Sequence, residues 1–369
     1  MMTMGERSQH RAGARRMRNP PGADERLDIG TSVASPSGSR AALPRRHFLK
    51  LSLAAPGAFV AGTMAVTSAL AALQPRAPDF AGIDGWINSG PISIADPPSP
   101  ATLVCFWTYS CINSRRPMRY LKRWHDQYGP QGLRLIGIHT PEFQFEHERA
   151  NVETYVREEG IFFPVGLDNE YRTWDAFGND AWPAFYLINR DARVALVRAG
   201  EGYAHEIEGA IRNALGLTPT GWAIDPGDDP DLSRIGSPEA YFGAEHPTPQ
   251  DPRQSPRKGA VEYSFAQGAG PALDRYLLDG SWAREGQRLT LVSSQGGLRY
   301  RFSAAKMHLV ASAEPYATIR VRVDGEDTRP IGIGWPTLYT VVDGSRYGEH
   351  LLEVTADVPG LTLFSATFG

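Results

Sequence analysis

Short apolar runs alternate with longer amphipathic stretches between Thr102 and Leu217. Thr102 to Trp107 is a compact apolar run and reads as a buried strand, whereas Asn113 to Tyr128 carries Met118, Leu121 and Trp124 at helical spacing. Leu133 to His139 is again strand-like. The pattern then predicts a helix within Glu146 to Glu159, a strand from Ile161 to Val165 and a short helix from Tyr171 to Phe177. Ala184 to Ile188 and Val194 to Val197 flank Asn189-Arg190-Asp191-Ala192, which reads as a hairpin turn. His205 to Leu215 closes the unit as a helix, with Gly216 placed to cap its end. Strand, helix and strand followed by hairpin and helix describe a mixed sheet sandwiched by helices, over residues 78–217.

Residues 218–258 fill with Pro, Asp, Gly and Ser and read as a linker with little regular structure. Beyond it, helical periodicity disappears. Arg288 to Val292, Leu298 to Phe302, Met307 to Val310, Thr318 to Val323, Leu338 to Val342, Leu351 to Val354 and Leu361 to Phe368 are short runs that alternate apolar with polar. Asp324-Gly325 and Asp343-Gly344 punctuate them as turns. Strands at that interval predict an all-β sandwich, jelly-roll-like, over residues 259–369.

The first 73 residues carry a different pattern. Arg45-Arg46-His47-Phe48-Leu49-Lys50 precedes an uncharged stretch from Leu51 to Leu73, which resembles a twin-arginine export signal. Ala69-Leu70-Ala71 offers the small residues that a signal peptidase needs, so cleavage is expected after Ala71 and the mature chain is expected outside the cytoplasm, in the periplasm or its equivalent. An uncleaved membrane anchor is the alternative, although Pro56, Gly57 and Gly62 make the stretch a mediocre helix. Residues 1–44 are polar and rich in Arg, Gly and Ser, and read either as a disordered extension or as an over-long start preceding Met17.

Composition narrows the function. Among 369 residues, 38 basic side chains nearly balance 41 acidic ones, a net charge of −3 that argues against a nucleic-acid partner. Two cysteines, Cys105 and Cys111, match no zinc spacing, and the nine histidines are scattered, so neither a metal nor a cofactor is expected. Cys111 is the residue to watch. It stands where the Thr102 to Trp107 strand gives way to a helix, and free N–H groups at a helix start stabilise a thiolate. Trp182-Pro183-Ala184 opens a later strand and is the candidate for a cis-proline loop beside it. Arg115 and Arg116 add positive charge nearby.

These residues also carry a resemblance. Trp107-Thr108-Tyr109-Ser110-Cys111-Ile112-Asn113, His139-Thr140-Pro141-Glu142-Phe143 with Phe145-Glu146, Leu167-Asp168-Asn169, Thr173-Trp174 and Trp182-Pro183-Ala184 resemble the exported, thioredoxin-like part of the DipZ-type thiol-disulfide family. Glu239-Ala240-Tyr241-Phe242-Gly243, the strand Arg301 to Val310 and the ending Phe364 to Gly369 are similar to that family's second module, a carbohydrate-binding-like β-sandwich. The resemblance implies a redoxin that handles protein thiols and disulfides. The chain departs from the pattern in three places. Ser114 stands where the family has its second cysteine, giving CxxS in place of CxxC; Cys105 stands where many thioredoxin relatives have a buried Asp; and no counterpart of the family's membrane-spanning electron-delivery domain is expected from these residues.

The expected function is therefore an exported thiol-disulfide oxidoreductase acting through one nucleophilic cysteine, with catalytic residues Cys111, Ser114, Pro183 and Glu142 and a substrate-binding set of Trp107, Trp182 and Arg115. A mixed disulfide at Cys111 would be released by an external thiol or by Cys105, because Ser114 cannot resolve it. Ser114 could donate a hydrogen bond to the thiolate, and Glu142 could accept or supply its proton. Three alternatives stay open. The site has lost activity and serves as a binding groove; Thr108 and Cys111 form a one-cysteine peroxidase; or Tyr241, Trp282, Trp335 and Tyr339 of the sandwich stack on a glycan, against core packing. Cys105 reads as an inert core residue, with a Cys105–Cys111 disulfide as its sharper alternative.

Overall fold

The computed structural model describes residues 74–95, 99–218, 221–224, 231–254, 256–265 and 270–369. The expected extension and export signal, residues 1–44 and 45–73, lie outside the described residues. The first domain is a six-stranded sheet of β1 (Gly85–Ile87), β2 (Ala101–Trp107), β3 (Leu133–His139), β4 (Val165–Leu167), β5 (Ala184–Asn189) and β6 (Val194–Ala199), in the spatial order β1-β4-β3-β2-β5-β6. β2, β3 and β4 run parallel, while β1, β5 and β6 pair antiparallel to their neighbours. Among the described residues four helices flank it: α1 (Ile112–Tyr128), α2 (Arg149–Glu158), α3 (Arg172–Ala176) and α4 (Ala204–Ala214). This is the thioredoxin-like sheet expected from the order of elements.

β2 shows why the sheet holds. Every one of its seven residues is buried, and the period of two sends them to opposite faces. Leu103, Cys105 and Trp107 join a core with Met118, Leu121 and Trp124 of α1, Val152 of α2 and Ile207 and Ile211 of α4. Val104 and Phe106 join a second core on the other face with Ile136, Ile138, Tyr186 and Trp174 of α3. The fourth strand departs from expectation. Pro164 has no N–H to donate, so the ladder starts at Val165 rather than Ile161, although Ile161 and Phe163 still pack in the core. The expected hairpin turn forms, with Ala192 N–H donating to Asn189 O at 3.0 Å, and Gly216 takes the left-handed φ of +68° after α4.

The second domain is a β-sandwich. Its strands are β7 (Ala240–Tyr241), β8 (Gly259–Tyr263), β9 (Arg275–Glu285), β10 (Arg288–Leu291), β11 (Gly296–Ser303), β12 (Lys306–Ala313), β13 (Ala317–Val323), β14 (Glu326–Asp327), β15 (Ile331–Ile333), β16 (Thr337–Asp343), β17 (Glu349–Ala356) and β18 (Leu361–Phe368). One sheet runs β16-β12-β18-β10-β9-β8 with β7 against β18; the other runs β11-β17-β13-β14 with β15 against β13. All ladders between these strands are antiparallel. Trp282, Leu289, Leu309 and Leu363 of the first sheet meet Tyr300, Phe302, Val321 and Leu352 of the second in one core. The long strand β9 hides from the alternation pattern because Gly280, at φ +87°, kinks it where a Cβ would stand 2.5 Å from Gln295 O.

The described residues between 218 and 258 include a short turn of helix at Leu232–Arg234 and the strand β7, and several of them are packed. Ala223 and Ile224 complete the first domain's core, and Ala240 and Phe242 are fully buried in the sandwich. The two domains meet over the end of the first sheet where β2 stops. Ile112 and Phe143 from the first domain pack with Val310, Leu338 and Phe364 from the second. Phe145 and Phe364 meet edge to face with ring centroids 4.7 Å apart, and Tyr109 stacks on Trp335 at 5.7 Å.

Candidate redox site

Cys111 is the N-cap residue of α1, with extended backbone angles of φ −84° and ψ 123°. Its carbonyl accepts the N–H groups of Ser114 at 3.1 Å and Arg115 at 3.0 Å, which starts the helix. The thiol has no competing side-chain cap and faces the N–H groups of Asn113 and Ser114, which favour its ionised form. The surroundings oppose them. Cys111 is only 7% exposed, and burial first, then the charges of Glu142 and Glu239, push its thiol well above the ordinary cysteine value. The lowered value expected from a helix start alone is thus overridden by burial and by the two neighbouring carboxylates.

Pro183 stands at the same end of the sheet. The Trp182–Pro183 bond is cis, as expected, and Ala184 directly after it pairs with Phe106 near the end of β2. Pro183 O accepts Gly200 N–H at 2.7 Å, which ties the loop to the end of β6. Trp182 is half-buried, donates Nε1–H to Thr140 O at 3.0 Å and packs on Trp174 at 4.5 Å.

Other expected roles change. Ser114 Oγ accepts Thr108 N–H at 3.3 Å, so the hydroxyl serves the loop between β2 and α1, and no hydrogen bond joins it to Cys111 Sγ among the described residues. Trp107 is 1% exposed and packs within the core, out of reach of a substrate. Arg115 is committed to the domain boundary: Nε donates to Tyr109 O at 2.6 Å, Nη2 to Thr337 Oγ1 at 2.5 Å and Nη1 to Leu338 O at 3.4 Å. Arg116 likewise pairs with Glu201 at 2.6 Å and donates to Phe368 O at 2.8 Å. The aromatics read as glycan platforms are also occupied. Trp282 is core, Trp335 lies on Tyr109, Tyr339 donates its hydroxyl to Trp335 O at 2.7 Å, and Tyr241 belongs to the site itself.

Glu146, quoted above only as part of a motif, proves central to the local geometry. It is fully buried at 0% exposure; Oε1 accepts Ser110 N–H at 3.1 Å and Ser110 Oγ–H at 2.7 Å, while Oε2 accepts Glu142 N–H at 2.6 Å and Phe143 N–H at 2.9 Å. One carboxylate therefore fastens the loop carrying Cys111 to the loop carrying Glu142. Glu142 Oε1 in turn lies 2.8 Å from the Tyr241 hydroxyl, and Glu239 Oε2 lies 2.9 Å from the same oxygen. Burial, then Glu239 and Glu146, hold the Glu142 carboxyl well above the usual carboxylate range. His139 ends β3 beside Trp107 and is enclosed; burial lowers its pKa to about 3 and keeps the ring neutral. Cys105 is 1% exposed within the apolar core, burial pushes its thiol far up, and both cysteines are free.

Known proteins match both halves. Residues 73–197 match the AhpC/TSA family, and residues 237–369 match the family described as thioredoxin like C-terminal domain. Protein DipZ of Mycobacterium tuberculosis (strain CDC 1551 / Oshkosh) is 32% identical over 302 residues, covering 79% of this chain and 43% of the relative. The chain thus spans less than half the length of that protein. Thiol-disulfide oxidoreductase YkuV of Bacillus subtilis is 25% identical over 150 residues, 40% of this chain and 98% of YkuV. Among solved structures, a thioredoxin-like protein in the oxidised form is 23% identical with a TM-score of 0.37, covering 39% of this chain and 97% of that one. The chain joins an AhpC/TSA-family redoxin domain to a thioredoxin-like C-terminal domain and is related to DipZ.

Proposed function

We propose that this protein is an exported thiol-disulfide oxidoreductase that works through Cys111 alone, forming mixed disulfides with protein clients and releasing them to an external thiol. The observation that carries this reading is the convergence at one sheet end of the Cys111 helix start, the cis-Pro183 loop and peptide N–H groups on the thiol. Relatives named thiol-disulfide oxidoreductases support the same chemistry. In the first step Cys111 loses its proton and attacks one sulfur of a client disulfide. A new S–S bond joins Cys111 to the client, the client's own S–S bond breaks, and the departing thiolate takes up a proton. An external thiol then attacks the mixed disulfide, leaving a new client disulfide and regenerating the Cys111 thiol. Cys105 is held in the core and takes no part.

A redox-silent binding protein is the second reading, favoured by the 7% exposure of Cys111. Thr108, which the peroxidase alternative requires at the thiol, is fully buried with Oγ1 3.5 Å from His139 Nε2. Incubation with a disulfide-bonded peptide, followed by intact-mass analysis, separates the readings. A single adduct that disappears in Cys111→Ser and on adding glutathione supports exchange; an unmodified wild-type chain supports the silent groove. Export is proposed from Arg45 to Leu73. A reporter fused after Ala71 should reach the extracytoplasmic side, and should stay in the cytoplasm when Arg45 and Arg46 become Lys.

A further inference from the structure

Exposure rises stepwise from the thiol outward: Cys111 is buried, Glu142 and Tyr241 are half-buried, and Glu239 is exposed. The last two residues belong to the C-terminal domain. The Tyr241 hydroxyl has one hydrogen, yet carboxylate oxygens of Glu142 and Glu239 lie 2.8 and 2.9 Å from it. It can donate to only one. The other contact is a hydrogen bond only if that carboxyl itself carries a proton and donates to the phenol oxygen. Two ionised carboxylates would leave one bare oxygen pair at hydrogen-bond distance with nothing between them. The trio therefore holds one proton beyond the phenol's own, and that proton moves from one carboxyl to the other when the phenol oxygen accepts it from the first and passes its own hydrogen to the second.

We propose that Glu142, Tyr241 and Glu239 form a proton path between Cys111 and solvent, so that the C-terminal domain supplies the outer two-thirds of the proton-handling machinery of the redox site. The path rests on the exchange reading above. The proton held by Glu142 first crosses to Glu239, Tyr241 accepting it from Glu142 while giving its own hydrogen to Glu239; Glu142, now ionised, takes the Cys111 proton as the thiol attacks a disulfide, and Glu239 releases its proton to water, so the trio again holds one. The reverse passage protonates the departing thiolate. Tyr241 and Glu239 are positioning residues here, acting through Glu142.

Other charges around the path are consistent with a proton held there. Glu142 feels Glu239 and Glu146; Tyr171 faces Glu146, Glu142 and Asp168; Cys111 faces Glu142 and Glu239; Tyr155 feels Cys111 and the Arg115 guanidinium. Negative groups thus outnumber the one cation, which favours keeping a proton among the carboxyls. Protein crowded around the Glu239 carboxyl pushes it up to about 7, an effect that its solvent contact tempers.

Two measurements test the path in the full chain. The first is the rate of Cys111 alkylation by iodoacetamide against pH, read by peptide mass spectrometry. The wild type should show an inflection near pH 7 besides the thiol's own. Glu239→Gln should abolish it and lower the thiol midpoint by about one unit, and Tyr241→Phe, which keeps the ring, should abolish it and slow peptide-disulfide exchange about tenfold. Profiles in both variants that superimpose on the wild type would overturn the proposal. The second is carboxyl titration by NMR with labelled glutamate, which does not depend on thiol reactivity. A coupled pair in the wild type, uncoupled in Tyr241→Phe, supports the shared proton even where Cys111 forms no adduct, and that combination sinks only the exchange reading. Independent titration of Glu142 and Glu239 near the ordinary carboxylate value overturns the shared proton itself.

Discussion

Cys105 and Cys111 are both buried thiols, six residues apart in sequence, yet they sit in opposite kinds of interior. Cys105 projects from the middle of β2 among Leu103, Trp107, Leu121 and Leu135, where nothing offsets the cost of a charge. Cys111 lies beyond the strand's end, among peptide N–H groups, three glutamates and a tyrosine, under a domain boundary rather than inside a domain. Burial raises both thiols, but only the second has groups that can take its proton. The difference teaches that low exposure alone does not mark a cysteine as inert. The chemistry of the wall decides, together with whether the wall can part.

Removing the keystone of that wall should break the comparison most. Glu146→Ala strands four donors on two loops, and is expected to cost about 2–4 kcal/mol of stability, measured by urea unfolding, and to erase the distinct reactivity of Cys111. Next comes the direct exchange of the two thiols. Cys105→Ser places a hydroxyl in an apolar core and should cost about 1–3 kcal/mol, whereas Cys111→Ser, with polar neighbours, should cost less than about 1 kcal/mol. Equal losses would mean that the two interiors do not differ as described. A smaller effect is expected at the boundary. Trp335→Ala removes the stack on Tyr109 and should quicken Cys111 alkylation several-fold while leaving Cys105 unreactive.

The smallest effect is a pH trend. Glu239 holds its proton more tightly in the folded protein, at about 7, than at its ordinary 4.5. Stability from this source is complete below the ordinary value and is lost as pH rises through about 7. Thermal midpoints should therefore decline more between about pH 5 and about pH 8 in the wild type than in Glu239→Gln.

Much of this arrangement was legible in the sequence. Leu133 to His139 coincides with β3, Leu361 to Phe368 coincides with β18, and the cis-Pro183 loop stands where the dipeptide predicted. Local pattern suffices for such features because each is set by residues adjacent in the chain. The strand at Ile161 was misplaced because burial and ladder pairing part company at Pro164, and β9 was missed because Gly280 breaks its period. The site was read in part. Cys111 and Glu142 were singled out, but Trp107 and Arg115 were assigned to a substrate when their partners are the core and the second domain. Glu239 could be seen only within a motif, and Tyr241 only within that motif or as a glycan-stacking aromatic, since nothing local says that residues about a hundred positions after Glu142 will share its proton. Charges and aromatics that serve a domain boundary look, in sequence, like those that serve a ligand.

The covalent connection between the domains has a consequence for how the cover over Cys111 behaves. Tyr241 follows the last helix of the first domain by fewer than thirty residues, so its return to Glu142 is an intramolecular event. A short tether holds such a pair at an effective concentration in the millimolar range. Contacts too weak to hold two separate proteins together would then keep the thiol covered most of the time, and diluting the protein would not uncover it. If Cys111 exchanges with client disulfides as proposed, a client must outcompete that fixed local concentration, which makes its affinity for the uncovered thiol, rather than the abundance of this protein, the quantity that sets when Cys111 reacts.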